Sequence, residues 1–186
     1  MDRKNIILRP LEEKDAPFML EWMHDPQIQK HFQKSMDKVS LDDALKFCRE
    51  AGSIHNIAHG DSVHFAIADE NDEYLGTISL KNVDFNNSNA EYAIALRASS
   101  AGKGIASQAT RMLLKKAFYE MGLHRVYLTV LSGNQSAIRL YEKNGFVLEG
   151  ELRQHLQKGG KYMDWKWYGI LRTEFEKTLY SQGFQG

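Results

Sequence analysis

The sequence predicts an α+β domain, with α/β-like layering in three tiers: a mixed, mostly antiparallel sheet flanked by helices. Three observations lead there. First, the stretch from Ala90 to Ala106, AEYAIALRASSAGKGIA, changes period from two to three-and-four across a small-residue turn, the pattern of a strand entering a helix. Second, strand-like runs predominate in the middle and end of the chain, with helical runs between some of them, which calls for helices packed on a sheet. Third, 186 residues with 42% hydrophobic content and 24 basic against 24 acidic side chains suit one domain over 1–186 with a substantial core. No internal repeat, low-complexity tract or linker divides the chain.

Taken in order, Asn5 to Arg9 is an apolar run stopped by Pro10 and predicts an opening strand. Asp15 is placed to cap a helix that tolerates Pro17 in its first turn, with Phe18, Leu20, Trp22 and Met23 as its apolar surface. Asp25 to Met36 is polar with isolated Ile28, Phe32 and Met36, a loop with short helical turns. Ser40 and Asp43 resemble a capping box ahead of Ala44, Leu45 and Phe47, so a second helix is expected to about Ile57. His64 to Ala68 and Tyr74 to Val83 predict a hairpin closed by Glu70 to Glu73, and Asn86 to Asn89 a polar turn. In the next strand Tyr92, Ile94 and Leu96 share one face and Glu91, Ala93 and Ala95 the other. A helix follows on Ile105, Ala109, Met112, Leu113, Ala117 and Met121. Arg125 to Leu131, RVYLTVL, is β-branched and aromatic, hence a strand. The helix begun by Asn134 stops at Asn144-Gly145. Phe146 to Leu156 and Lys161 to Ile170 are two strands, and Thr173 onward a last short helix.

Composition also excludes. Charge balance disfavours a broad nucleic-acid surface. No apolar run approaches the roughly 20 residues that span a bilayer, and MDRKNIILRP lacks a secretion signal's apolar core. Cys48 is alone, so neither a disulfide nor a cysteine-rich metal site is expected, and a cytoplasmic setting is the default. Of seven histidines only His55 and His59 stand at a helical step. With no carboxylate or cysteine beside them, zinc is disfavoured.

The glycine turn supplies the candidate binding site. Unpaired amides and the positive end of the helix dipole meet at such a helix start and favour phosphate. A Walker loop needs Ser or Thr after the lysine, where Gly104 stands, and a dinucleotide fingerprint lacks its third glycine at the right step. The string Gly102-Lys103-Gly104-Ile105-Ala106 instead resembles the pyrophosphate loop of the GNAT superfamily of acetyl-CoA-dependent N-acetyltransferases. Gly104 and Ala106 match its later positions, while Ala101 replaces its leading Gln or Arg, removing a side-chain contact but no amide. The segment from Asn134 through Gly145-Phe146 is similar to the superfamily's second cofactor segment. The likeness runs from Leu8-Arg9-Pro10 to the terminal strand pair.

That resemblance implies the GNAT fold, with the Glu91 and Arg125 strands splaying to admit the pantetheine arm. It implies transfer of the acetyl group of acetyl-CoA to a primary amine by direct attack in a ternary complex. Tyr141 stands where the family carries the acid that protonates the coenzyme A thiolate; its other reading is a tyrosine of the buried stripe. Glu91 is the candidate base, directly or through water, and otherwise a strand-end carboxylate paired to a Lys or Arg. The cofactor-binding candidates are Ile94, Leu96, Ala101, Gly102, Lys103, Gly104, Ile105, Ala106, Asn134, Ala137, Tyr141 and Lys143, and Asn134 also suits a helix cap. Arg111 and Arg139 are further cations near the cleft. No metal is called for.

Within the superfamily the chain resembles the branch of ribosomal-protein N-terminal, spermidine and amino-sugar acetyltransferases. The stretch from Leu75 to Val83 with Asn89-Ala90-Glu91 is similar to the amino-sugar enzymes in particular, a resemblance that implies a small-molecule amine such as a nucleotide-linked amino sugar. A protein N-terminus and a polyamine are the alternatives. A non-catalytic acetyl-CoA sensor is the rival from another class, favoured by Ala101 and opposed by Tyr141. Trp165, Trp167 and Tyr168 belong either to the core or to a homodimer face.

Overall fold

In the computed structural model, which describes residues 5–32, 34–52 and 57–181, seven strands form one sheet. They are β1 (Ile6–Pro10), β2 (Val63–Asp69), β3 (Tyr74–Asp84), β4 (Asn89–Leu96), β5 (Arg125–Leu131), β6 (Val147–Lys158) and β7 (Lys161–Leu171), in the order β1-β2-β3-β4-β5-β7-β6. Every neighbouring pair is antiparallel except β4 and β5. A parallel pair needs a crossover, and α4 (Ile105–Lys115), extended by a π turn over Lys116–Glu120, supplies it. The expected mixed, mostly antiparallel sheet is therefore present.

Alternation along β4 builds the two flanking layers. Tyr92 packs with Ile105, Ala109 and Leu113 of α4 and with Ile138 and Tyr141 of α5 (Gln135–Lys143). Ala95 faces the other way, onto α1 (Ala16–Met23) and α3 (Leu41–Gly52), among Met19, Trp22, Ala44 and Cys48. The last helix, α6 (Arg172–Ser181), seats Phe175 against Phe118. Gly145 ends α5 at φ 91°, and a Cβ there would stand 2.9 Å from the Thr178 hydroxyl, so both backbone and space require glycine.

Three expectations are corrected, and one pair of alternatives is sorted residue by residue. Asp15 does not cap α1; a 3-10 turn over Glu13–Asp15 precedes that helix, and the buried Asp15 carboxylate accepts the Glu12 amide of this turn and holds Arg9 at 2.8 and 2.9 Å. Phe18 lies outside the core with the Arg97 guanidinium 4.7 Å from its ring, and Met19 takes the buried position. The helix begun by the Ser40–Asp43 box, whose amides and side chains do bond reciprocally at 2.9 and 3.1 Å, is described as far as Gly52; Ile57 is not helical, and 53–56 lie outside the described residues. The C-terminal aromatics divide. Tyr168 is buried, Trp167 stacks half-exposed on Tyr127, and Trp165 stacks on His155.

The polar stretch after Asp25 does form a short turn of helix, α2 (Pro26–Gln29), capped by Asp25, which accepts from the Gln27 amide at 2.8 Å. Phe32 then stacks on Trp22 with centroids 5.7 Å apart. This fixes the segment on the Ala95 face.

Candidate active site

The ladder between β4 and β5 has three rungs, Asn89–Arg125, Ala90–Val126 and Glu91–Tyr127, although both strands run on to Leu96 and Leu131. A V-shaped gap opens from the last rung. The Arg97 amide donates to the Leu75 carbonyl at 3.0 Å on the β3 side. Antiparallel alternation therefore turns the backbone groups of Ala93 and Ala95 to β3 and those of Tyr92, Ile94 and Leu96 into the gap. Such an edge accepts an extended chain bearing amides, much as it would accept another strand.

Beyond β4 the chain turns through Gly102 (φ 74°) and Gly104 (φ 78°), left-handed conformations that glycine adopts without strain. No heavy atom stands within 4 Å of where a Cβ would project at either. The Ala101 amide is used within the preceding turn, donating to Ala98 at 3.2 Å, and the next bonded amide is that of Gln108, on Gly104 at 3.1 Å. Among the described residues, the amides from Gly102 to Ser107 thus donate to no protein acceptor. They include those of Lys103, Ile105 and Ala106, at the positive end of α4. This is an anion site made of backbone, and the Ala101 methyl leaves it intact. Gly104→Ala should raise the acetyl-CoA KM about tenfold or more and cost about 1 kcal/mol of stability, because the loop must leave its positive φ. Calorimetric titration and a thermal melt check the two halves.

Tyr141 sits at the apex of the gap. Its ring contacts Tyr92, the first residue of β4 past the last rung, at 5.8 Å, and Tyr168, paired to Leu128, at 6.5 Å. Burial drives its pKa well above the ordinary tyrosine value. The other deeply buried tyrosines are all hydrogen-bonded: Tyr74 to Trp22 and Thr77, Tyr92 to Thr110, Tyr168 to Glu142. The Tyr141 hydroxyl has no such bond among the described residues, and no fully buried side-chain oxygen or nitrogen there lacks a partner. Its oxygen therefore borders accessible space.

Glu91 lies on the opposite face of β4, with Ala93 and Ala95. Lys81 donates to its Oε1 at 2.9 Å, and Asn82 approaches Oε2 at 3.4 Å. The pairing to a lysine named above as its alternative reading is thus present, with Oε2 the less occupied oxygen. Asn134 does cap α5, accepting from the Ala137 amide at 3.2 Å. Arg139 and Lys143 are exposed on α5, whereas Arg111 bonds Ser107 at 3.0 Å. His55 lies outside the described residues, and His59 faces Asp84 at 3.5 Å.

Residues 5–147 match the family described as "Acetyltransferase (GNAT) domain". The chain belongs to the GNAT family. This GNAT protein is 33% identical over 138 residues to the SPbeta prophage-derived uncharacterized N-acetyltransferase YokL of Bacillus subtilis, covering 72% of this chain and 78% of the relative. It is 28% identical over 171 residues to a spermidine N(1)-acetyltransferase of Vibrio cholerae, covering 91% and 95% of the two chains. The crystal structure of spermidine N-acetyltransferase from Vibrio cholerae in complex with CoA and spermine superposes with a TM-score of 0.81 at 27% identity, covering 92% and 98%. The GNAT chain is an acetyl-CoA-dependent N-acetyltransferase that acetylates an amine.

Sequence reasoning missed a group that the fold assembles at the edge of this site. Lys158 at the tip of the β6–β7 hairpin donates to the carbonyls of Gln29 and Phe32 at 2.6 and 2.5 Å. His31 beside it has its pKa lowered by burial, then by the charges of Lys30 and Lys158. No carboxylate is among the causes. These residues lie more than 120 positions apart, and no spacing rule joins them.

Proposed function

We propose that the acceptor is a small-molecule primary amine carrying negative charge elsewhere, such as a nucleotide-linked amino sugar. The observation that carries this reading is the pair of cations Lys30 and Lys158 at the open side of the gap, whose charges help to hold His31 beside them neutral. The stretch from Pro26 to Met36 contains no acid. A polyamine bears several ammonium groups and gains affinity from carboxylates; a sugar nucleotide gains it from lysines. The relatives named for spermidine favour polyamine acetylation as a second reading.

In this reading the Gly102–Ser107 amides and Lys103 hold the coenzyme A diphosphate. Ile94 and Leu96 pair with the pantetheine amides, and Asn134, Ala137 and Lys143 contact the coenzyme from α5. Tyr141 gives its proton to the sulfur as the thiolate leaves. Glu91, on the other face of β4, takes the proton of the attacking ammonium through a water on Oε2, since a free alkylamine with a pKa of about 10 is mostly protonated at pH 7. Glu91→Gln should then reduce kcat/KM about tenfold or more near pH 7, a loss shrinking as pH nears the amine's own pKa. A loss equal at every pH would reduce Glu91 to a structural partner of Lys81.

A single domain spans the chain in this proposal. β6 is one of the two edges of the sheet, with Val147 52%, Leu148 47% and Leu152 40% exposed, which supports association of two copies there; sedimentation measures it. The acceptor is tested by thiol release from acetyl-CoA with a UDP-linked amino sugar, spermidine and free-N-terminus peptides. Preference for the sugar nucleotide is expected. Release with spermidine alone replaces it with the polyamine reading.

A further inference from the structure

We infer that Lys158 is a positioning residue, a strap that ties the two arms of the splayed sheet together across the mouth of the gap on its acceptor side. On one arm, β7 pairs with β5 as far as Trp165–Leu131, and the hairpin then overhangs the end of β5 through Asp164 to Lys161. Its turn, Gly159 and Gly160, has φ 56° and 76°, the doubly positive pattern of a tight two-residue hairpin turn that holds Lys158 opposite Lys161. On the other arm, Phe32 stacks on Trp22 within the cluster containing Ala95. The two arms part at Glu91–Tyr127. At the far end of the V, on the Ala95 face, the Lys158 ammonium bonds two carbonyls of the α2 segment at 2.6 and 2.5 Å.

An ammonium on two carbonyls is a charge-assisted contact, stronger than a neutral hydrogen bond. It fixes a segment that is otherwise a single helical turn, too short to be stable by itself. The glycine loop and α5 pack on the opposite face, so the strap governs the acceptor's mouth and not the coenzyme site. This rests on the reading that the amine enters on the Glu91 face. It makes α2 and the hairpin tip one unit whose order sets acceptor affinity and exclusion of water.

The test compares Lys158→Met, of similar length but without donors, and Lys158→Arg with the parent enzyme bound to acetyl-CoA. Hydrogen exchange of amides 28–39 and 155–164 should quicken about tenfold or more in Lys158→Met, with the rest of the chain unchanged, and Arg should restore most of the protection. With acetyl-CoA and a UDP-linked amino sugar, the amine KM should rise about tenfold while the acetyl-CoA KM stays within about twofold. Unchanged exchange in 28–39, or equal rises in both KM values, overturns the strap. Exchange needs no acceptor, so it decides the strap even if the sugar nucleotide is not the substrate.

Discussion

Replacing Tyr141 with phenylalanine should lower kcat by about two to three orders of magnitude, the loss expected when a positioned general acid is removed. Acetyl-CoA affinity and the fold should survive. The hydroxyl bonds no protein group among the described residues, so its removal orphans nothing, and the ring keeps its contacts with Tyr92, Phe146 and Tyr168. Burial raises the phenol's pKa, so the acid stays protonated and its ionisation should cause no rate loss below pH about 10. The stability sign follows: the folded chain holds this proton more tightly than the unfolded one, so stability is complete below pH about 10 and falls above it. Tyr92→Phe is the control. Its hydroxyl bonds Thr110 at 2.8 Å, and Thr110 itself donates to Ala106 at 2.7 Å. That variant should lose about 1 kcal/mol of stability with kcat nearly unchanged. Steady-state thiol release and thermal melts separate the two, and a Tyr141→Phe rate within about threefold of the parent would remove the acid role.

Where structure follows local chemistry, the sequence was sufficient. The β-branched run of β5 is bounded as expected, Arg125–Leu131, and the glycines that break the period after Leu96 mark a turn whose φ values only glycine takes easily. Asp15 shows the limit. A carboxylate before a helix is the same local signal whether it caps the helix or pairs with Arg9, and the choice was made by β1 lying alongside. Likewise Phe18 and Met19 are adjacent on a helix, and the sheet decides which is buried. Lys81 faces Glu91 through the β3–β4 register, which shifts between Lys81 and Asp84, so counting back from the turn does not find the pair. The splay has no periodic signature at all, because it consists of rungs that two good strands do not make. It entered through resemblance to a family. The Lys158 contact entered through neither, since residues 126 and 129 positions apart meet only after both arms have folded.

Removing the Asp15 carboxylate should be the most damaging single change to stability. Asp15 is 1% exposed and holds Arg9 through two oxygens, at 2.8 and 2.9 Å, while accepting the Glu12 amide at 2.9 Å. In Asp15→Ala the guanidinium loses both of its bonds to Asp15, keeping those to Asp72 and the Pro10 carbonyl, and the Glu12 amide loses its acceptor inside a site that water does not reach freely. Breaking a buried pair from one side costs about 3–5 kcal/mol, roughly 10 °C or more in Tm for a chain of this size. No pH restores the balance. Asp15 first, then Asp72, pushes the Arg9 pKa further up, and the guanidinium stays charged wherever the protein folds. Asp72→Ala is the comparison. It also bonds Arg9, but its side chain is 48% exposed, and an ion pair at that exposure contributes about 0–1 kcal/mol. The difference between the variants combines burial with the Glu12 amide that only Asp15 accepts, set against the Lys14 pairing and positive φ (63°) that belong only to Asp72. It also bears on catalysis, because Arg9 and Asp15 join β1 to α1, whose Trp22 bonds Tyr74 at 3.0 Å and stacks on Phe32 under the Lys158 strap. Below its melting temperature, Asp15→Ala should therefore lose amine affinity before it loses acetyl-CoA affinity. Saturating acetyl-CoA should raise its Tm by about as much as it raises the parent's, because the glycine loop lies in the other layer. A variant whose acetyl-CoA stabilisation disappears would show that the two layers do not fail separately.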